Sequence, residues 1–293
     1  MLRFLHLEKR THYQRVIFVI VFLIFACYAI SFIYPFLWLF NNSLKTVEEF
    51  VDTPFSLFSS WNFENFKAAF SLTIDTSLGT VNMLQMFFYS LLYTVPTTVG
   101  NVFVPACAAY IFAKYKFCGR SKFLGFVIVI MIFPTMGSIS ATYKFMDTTG
   151  MLNNWFGIYF LTIGGFGFNF LLIYSAFKTV SWFYAESAFM DGAGHFRVFI
   201  QIMLPQIKGV LAALLIMTFI GRWNDYLTPY LYMPDLPTLA LGLNTIKIQY
   251  GDSMGEYTTV FASILIATIP VLIVYFAFSD KIMNSALSGG IKG

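Results

Sequence analysis

Long apolar runs, separated by short polar clusters, dominate the chain. Six stretches approach or exceed the roughly 20 residues that an α-helix needs to cross a bilayer, at about 16–40, 83–113, 123–141, 156–177, 205–223 and 258–279. The second, third and fourth contain Gly, Pro or Asn, which membrane helices tolerate where neighbours cover the freed backbone. The connections at 41–82 and about 229–257 are longer. They carry turn residues and aromatic clusters (TPFSLFSSWNFENF, MPDLPT, GDSMGE), which predict ordered connectors or a docking surface for an external partner. No internal repeat or low-complexity segment interrupts this order. The pattern predicts an all-α membrane protein, with residues 1–293 forming a single domain of six transmembrane helices.

Composition agrees. The chain is 58% hydrophobic, 20% aromatic and 11% charged, against about 25% charged in soluble domains. Cys27 and Cys107 lie in apolar runs, Cys118 follows one, and no CxxC occurs, so neither disulfides nor structural zinc are expected. The first apolar run is too long for a signal-peptide core and is expected to remain as a span. With the N-terminus placed inside, thirteen Lys and Arg fall on the inner side and four on the outer, with Arg222 left at the outer end of the fifth span. The positive-inside rule then puts both termini, and the 178–208 loop, in the cytoplasm of a multi-pass cell-membrane protein.

Chemistry of the commoner kinds is missing. There is no GxxxxGK[ST], HExxH or GxSxG. His6, His12 and His195 are scattered, so no catalytic residue, metal site, cofactor on this chain or nucleic-acid partner is expected. The apolar runs hold no Asp, Glu, Lys or Arg at mid-depth, where a charge costs about 2.5–3.5 kcal/mol. Ion-coupled carriers accept that cost to build their relays. If this chain drives uphill transport, the energy comes from elsewhere.

The loop at 178–208 is the exception to the apolar pattern. It includes ESAFMDGAGHFRVFIQIMLP from Glu186 to Pro205. Ser181 is a candidate N-cap for a helix from Trp182 to Met190. Gly192 and Gly194 then turn the chain. Phe196, Phe199, Ile200, Met203 and Leu204 share one face of a second helix, and Pro205 starts the next helix or kinks it.

Glu186-Ser187-Ala188 is followed by three residues, Gly192, nine residues, and then Ile202-x-Leu204-Pro205. This spacing resembles the EAA loop of permease subunits of ATP-binding-cassette importers, with Ser187 where the family usually has Ala. Asp191 and Ala193, with Phe199, look like the carbohydrate-uptake branch that includes the maltose transporter's shorter permease. YAESAFMDGAGHF resembles permeases for oligosaccharides and polysaccharide fragments. NNSLKTVEEF, WNFENFKAAF, GRWNDYLTPYLY and SGGIKG extend the likeness over most of the chain.

The resemblance implies a type I importer fold and three kinds of partner: a second homologous permease, two ATP-binding subunits that carry ATP and Mg, and an extracellular or periplasmic solute-binding protein. It implies that Glu186 anchors the loop to a basic residue of the ATPase. Ala188, Phe189 and Met190 would supply apolar contact beside Ser187, and Gly192 the turn. Asp191 would be a second anchor or, preferably, a cap for the following helix.

Arg222 and Asp225 are spaced for a local ion pair. Trp223, Asn224, Asp225 and Tyr226 alternatively border a sugar path, since aromatic faces suit sugar faces and amides or carboxylates suit hydroxyls. Gly164, Gly165 and Gly167 read as close-packing points. A same-superfamily permease for a non-sugar solute, an ion-coupled carrier and a membrane enzyme are the alternative functions.

Overall fold

The computed structural model describes residues 12–132, 137–250 and 257–289. It is helical apart from one short hairpin, and it divides into two compact units.

The first unit holds the chain up to Ala69 together with Tyr250–Leu265. Its helix α1 (His12–Ser43) is apolar on every side and exposes nearly all of its length, as suits a helix that faces lipid or other membrane helices. Past its end the chain turns polar and folds back on itself. Lys45 is fully buried, and its Nζ donates to Thr53 O at 2.6 Å and Ser56 Oγ at 3.3 Å. Burial lowers the ammonium pKa from its ordinary value, and Glu49 opposes that shift. Helix α2 (Val47–Asp52) starts where Thr46 Oγ1 accepts from Glu49 N, and α3 (Glu64–Ser71) carries buried Asn65. Asn65 Nδ2 donates to Ser43 O and Lys45 O at 2.7 and 2.8 Å, and Thr258 Oγ1 donates to Asn65 Oδ1 at 3.3 Å. Trp38, Phe50 and Phe261 pack edge to face over this hub.

The second unit comprises Phe70–Gln249 and the chain from Ile266 onward. It opens with an antiparallel hairpin, β1 (Thr73–Thr76) and β2 (Gly79–Asn82), with Thr73 opposite Asn82 and Thr76 opposite Gly79. An all-α prediction does not include it. Its turn is held in part by a distant residue, Asp235, whose Oδ1 accepts from Ser77 N at 2.9 Å. Asp235 also bonds Asn153 through both its carboxylate and its backbone N–H.

Helix α4 (Met83–Lys114) begins at a reciprocal cap, in which Asn82 Oδ1 accepts from Gln85 N and Gln85 Oε1 from Asn82 N. It is the central post of this unit, packed by α7 (Trp155–Thr162), α8 (Phe168–Thr179) and α12 (Lys208–Trp223). Between α4 and α7 come α5 (Arg120–Ile132) and α6 (Ser138–Thr148). After α8 come α9 (Phe183–Met190), α10 (His195–Val198), a π-helical turn at Phe199–Met203, and α11 (Leu204–Gln206). Beyond α12 lie α13 (Leu227–Tyr232), α14 (Leu239–Tyr250) and α15 (Tyr257–Gly289).

Three predicted spans match single long helices: α1, α4 and the apolar part of α15, Tyr257–Phe278. The others differ. The fifth does not start at Pro205. Pro205 lies in α11, and the axis bends by 84° across Ile207 before α12 begins at Lys208. The third is met by α5 and α6 on either side of 133–136, which lie outside the described residues.

The fourth, 156–177, is broken into α7 and α8 by Ile163–Gly167. Glycine weakens a helix, and here close packing and neighbouring donors hold the broken form. Asn101 Nδ2 and Arg222 Nη2 both donate to Thr162 O, and Asn169 Nδ2 donates to Asn101 O at 3.0 Å. A Cβ on Gly164 would lie 2.7 Å from Asn101 Oδ1, and one on Gly100 2.7 Å from Ile163 Cγ1. Gly164 is therefore a close-packing point, whereas a Cβ on Gly165 or Gly167 would meet nothing within 4 Å.

Candidate coupling helix and a half-buried ionic cluster

The polar interlude folds into a knob. Ser181 Oγ accepts from Phe183 N at 3.3 Å, and the N–H groups of Ala185 and Glu186 bond back to Trp182 O, so α9 starts one residue later than the sequence predicts. It ends in a Schellman turn. Gly192 N donates to Phe189 O and Ala193 N to Ala188 O, both at 3.0 Å, with Gly192 at φ +79°. Gly192 is thus needed for its left-handed backbone, not for space, because a Cβ there would meet nothing within 4 Å.

Helical spacing sorts the residues of α9 into two faces. Ala185 and Ala188 are buried and Phe189 is half-buried, while Phe183, Glu186, Ser187 and Met190 (at i, i+3, i+4 and i+7) lie together on the exposed side, with Met190 87% exposed. This corrects one assignment: Ala188 packs into its own chain and is not part of an outward contact. Sequence reasoning also missed Phe183 and Tyr184, whose rings are exposed beside Glu186. The same 3.6-residue period, applied to the exposed side, would have found Phe183.

Asp191 requires a second correction. It occupies the C-cap of α9. The N-cap of α10 is Gly194, and no side chain caps it. Among the described residues neither the Glu186 nor the Asp191 carboxylate has a hydrogen-bonding or ionic partner within the chain, although both backbone N–H groups are bonded.

The knob is pinned to the end of α4. Tyr115 OH and His195 Nδ1 are 2.8 Å apart, and the rings of Tyr115, Trp182, Phe189 and His195 pack in succession. Lys114 Nζ donates to Val180 O. Past α10, the π-helical turn buries Phe199 and Met203 in the apolar cluster that includes Val102, Tyr110, Phe170 and Phe177. A push on α9 therefore meets packed side chains that lead to α4 and α8.

Residues 76–284 match the family model described as the inner membrane component of binding-protein-dependent transport systems. The chain belongs to this family. It is 30% identical over 270 residues to the diacetylchitobiose uptake system permease protein of Streptomyces coelicolor, covering 90% of this chain and 86% of the relative. It is 31% identical over 271 residues to a maltodextrin transport system permease protein of Streptococcus pneumoniae, covering 90% and 92%. Its fold is similar to that of a chain in a bacterial ABC transporter involved in importing the acidic polysaccharide alginate. There the TM-score is 0.79 at 21% identity, covering 93% of this chain and 98% of the other.

In this inner-membrane transport component, the ion pair expected in GRWNDY is present and extends further. Arg222 Nη1 lies 3.4 Å from Asp225 Oδ2 and 3.3 Å from Tyr93 OH; Tyr93 OH in turn donates to Asp225 Oδ2 at 2.8 Å. Thr228 N donates to Asp225 Oδ1 at 3.0 Å. The cluster thereby ties α4, the end of α7, α12 and α13.

The four residues considered for a sugar path do not act together. Trp223 is only 4% exposed, stacks on Phe219, meets Phe87 edge to face, and donates to Ala267 O at 3.1 Å. Asp225 is committed to the ionic cluster. Asn224 Nδ2 bonds Ile220 O within its own helix, and Tyr226 is exposed.

Proposed function

We propose that this chain is the permease subunit of an ATP-driven carbohydrate importer, a single permease domain of six spans with both termini in the cytoplasm. It pairs with a second, homologous permease to form the path for a sugar or oligosaccharide delivered by an external binding protein. The family description and the saccharide cargoes named for the relatives support this reading. Beside α1, α4 and the apolar part of α15, α5 with α6, α7 with α8, and α12 each supply one crossing. Two partner subunits bind and hydrolyse ATP with Mg; this chain supplies the lever.

The observation that carries the mechanism is the exposed Phe183–Glu186–Ser187–Met190 face on a knob whose other face is locked to α4. The apolar members fill a groove on the ATP-binding subunit, and Glu186 pairs with a basic residue there. When the ATP-binding subunits close, the knob moves as one body, because the Schellman turn and the Tyr115–His195 contact leave it little freedom. Its packing then passes the motion to α4 and α8.

The test is Glu186→Lys, with copurification of the ATP-binding subunit and uptake of labelled maltodextrin and chitooligosaccharides. An exposed pair turned repulsive should weaken retention by roughly 1 kcal/mol, about five-fold, or more if the contact is desolvated. Insertion should be normal and uptake reduced. Normal retention together with normal uptake would make this a solvated loop.

A further inference from the structure

A cleft of about 570 Å³ opens where the turn between α4 and α5 faces α8. Lys116, Arg120, Lys122, Ser121 and Tyr174 line it, with no acid among its lining residues. A fourth cation is close by, with Lys178 Nζ 5.7 Å from the centre of the Tyr174 ring. The segment KYKFCGRSK, from Lys114 to Lys122, contains no Asp or Glu at all. Arg120 is held in place, donating to Ala113 O and Tyr115 O at 3.4 and 3.5 Å. Lys116 and Lys122 are exposed and, among the described residues, have no acceptor or counter-ion. Among the described residues, no carboxylate balances the charge of this cleft.

We propose that the cleft binds the phosphate headgroup of an anionic phospholipid. The surface beside it favours a lipid over a free anion. From the cleft, α5 runs away with Phe123, Phe126 and Ile130 exposed at i, i+3 and i+7, an apolar strip along which acyl chains can lie while the phosphate rests among the cations. Basic sites at the membrane surface bind anionic lipids in this way. The site holds the turn between two spans, and it is independent of both cargo and coupling helix.

The experiment titrates the full chain, in a zwitterionic detergent, with phosphatidylglycerol or phosphatidylcholine and counts bound lipid by native mass spectrometry. Phosphatidylglycerol should bind at least about ten-fold more tightly. Lys116→Gln/Lys122→Gln should weaken it by roughly 30-fold, with each lysine contributing about five-fold, and leave phosphatidylcholine binding unchanged. Arg120 is kept in this variant because it holds backbone carbonyls. Lys144→Gln, outside the cleft, should alter neither lipid. Equal binding of the two lipids to the unaltered chain, or an undiminished preference in the double variant, would overturn the proposal. Displacement of the lipid by an equal concentration of inorganic phosphate would assign the cleft to a soluble anion instead. If the double variant, coexpressed with the ATP-binding subunit, failed to copurify it while keeping its lipid preference, the cleft would be assigned to a protein partner. Neither readout depends on sugar uptake, so the proposed cargo can fail without affecting it.

Discussion

Gly192 is the residue whose conformation the knob can least replace. At φ +79° with open space around its Cβ position, the penalty for a side chain there is in the backbone alone. A β-branched residue should cost about 1–2 kcal/mol, whereas asparagine, which tolerates the left-handed region, should cost less. Gly192→Val should therefore release the ATP-binding subunit during purification and Gly192→Asn should largely retain it. Equal loss in both variants would mean that side-chain bulk, not φ, decides. Tyr93 poses a similar question inside the bundle, where its hydroxyl donates to Asp225 beside Arg222. Tyr93→Phe should lower stability by about 1–2 kcal/mol, measured by thermal unfolding of the detergent-solubilised chain. Combined with Asp225→Ala, it should cost less than the sum of the single changes, since both remove the same bond. Strict additivity would show that the two groups do not interact in the membrane.

At the scale of elements, the break between α7 and α8 depends on α4. Glycine content alone permits a break; Asn101 makes one sustainable by donating to Thr162 O and accepting, through its own carbonyl, from Asn169. Asn101→Leu should leave the freed carbonyl short of a donor and destabilise the chain by about 1–2 kcal/mol, again read by thermal unfolding. Asn101→Asp should not rescue it, because a carboxylate has no N–H to give. A variant as stable as the parent would show that Arg222, also bonded to Thr162 O, suffices. The knob follows the same logic. Its helix-turn-helix order was legible from Ser181, Gly192 and the apolar period, but the capping roles were not. Asp191 follows α9 so closely that its backbone completes the C-cap, and the preference of Asp for helix starts is never used.

For the whole molecule, the distribution of Lys and Arg makes a claim that one experiment decides. Reporter fusions after Lys45 and after Arg120 should report opposite sides of the membrane, with Arg120 and the coupling knob on the cytoplasmic side. The same side for both would require a different number of crossings between them, although α4 is the one long helix in that interval. If Arg120 is cytoplasmic, the lipid cleft and the coupling helix share the inner surface.

The sequence by itself determined that this is a helical membrane protein. It also placed both ends of α1 and α4 and the start of α15 to within a few residues and located the knob, because length, apolarity and glycine spacing are local properties of a chain in lipid. Only the tertiary structure decided which helices break and bend. The interruption at 163–167 depends on Asn101 and Arg222, distant in sequence, and the bend at Ile207 on how the π-helical turn buries Phe199 and Met203. Burial of Trp223 and of Lys45 was likewise invisible in the pattern. An indole among twenty per cent aromatics carries no address of its own, and a lysine can be buried only where folded backbone presents carbonyl oxygens to it, as Thr53 O does here.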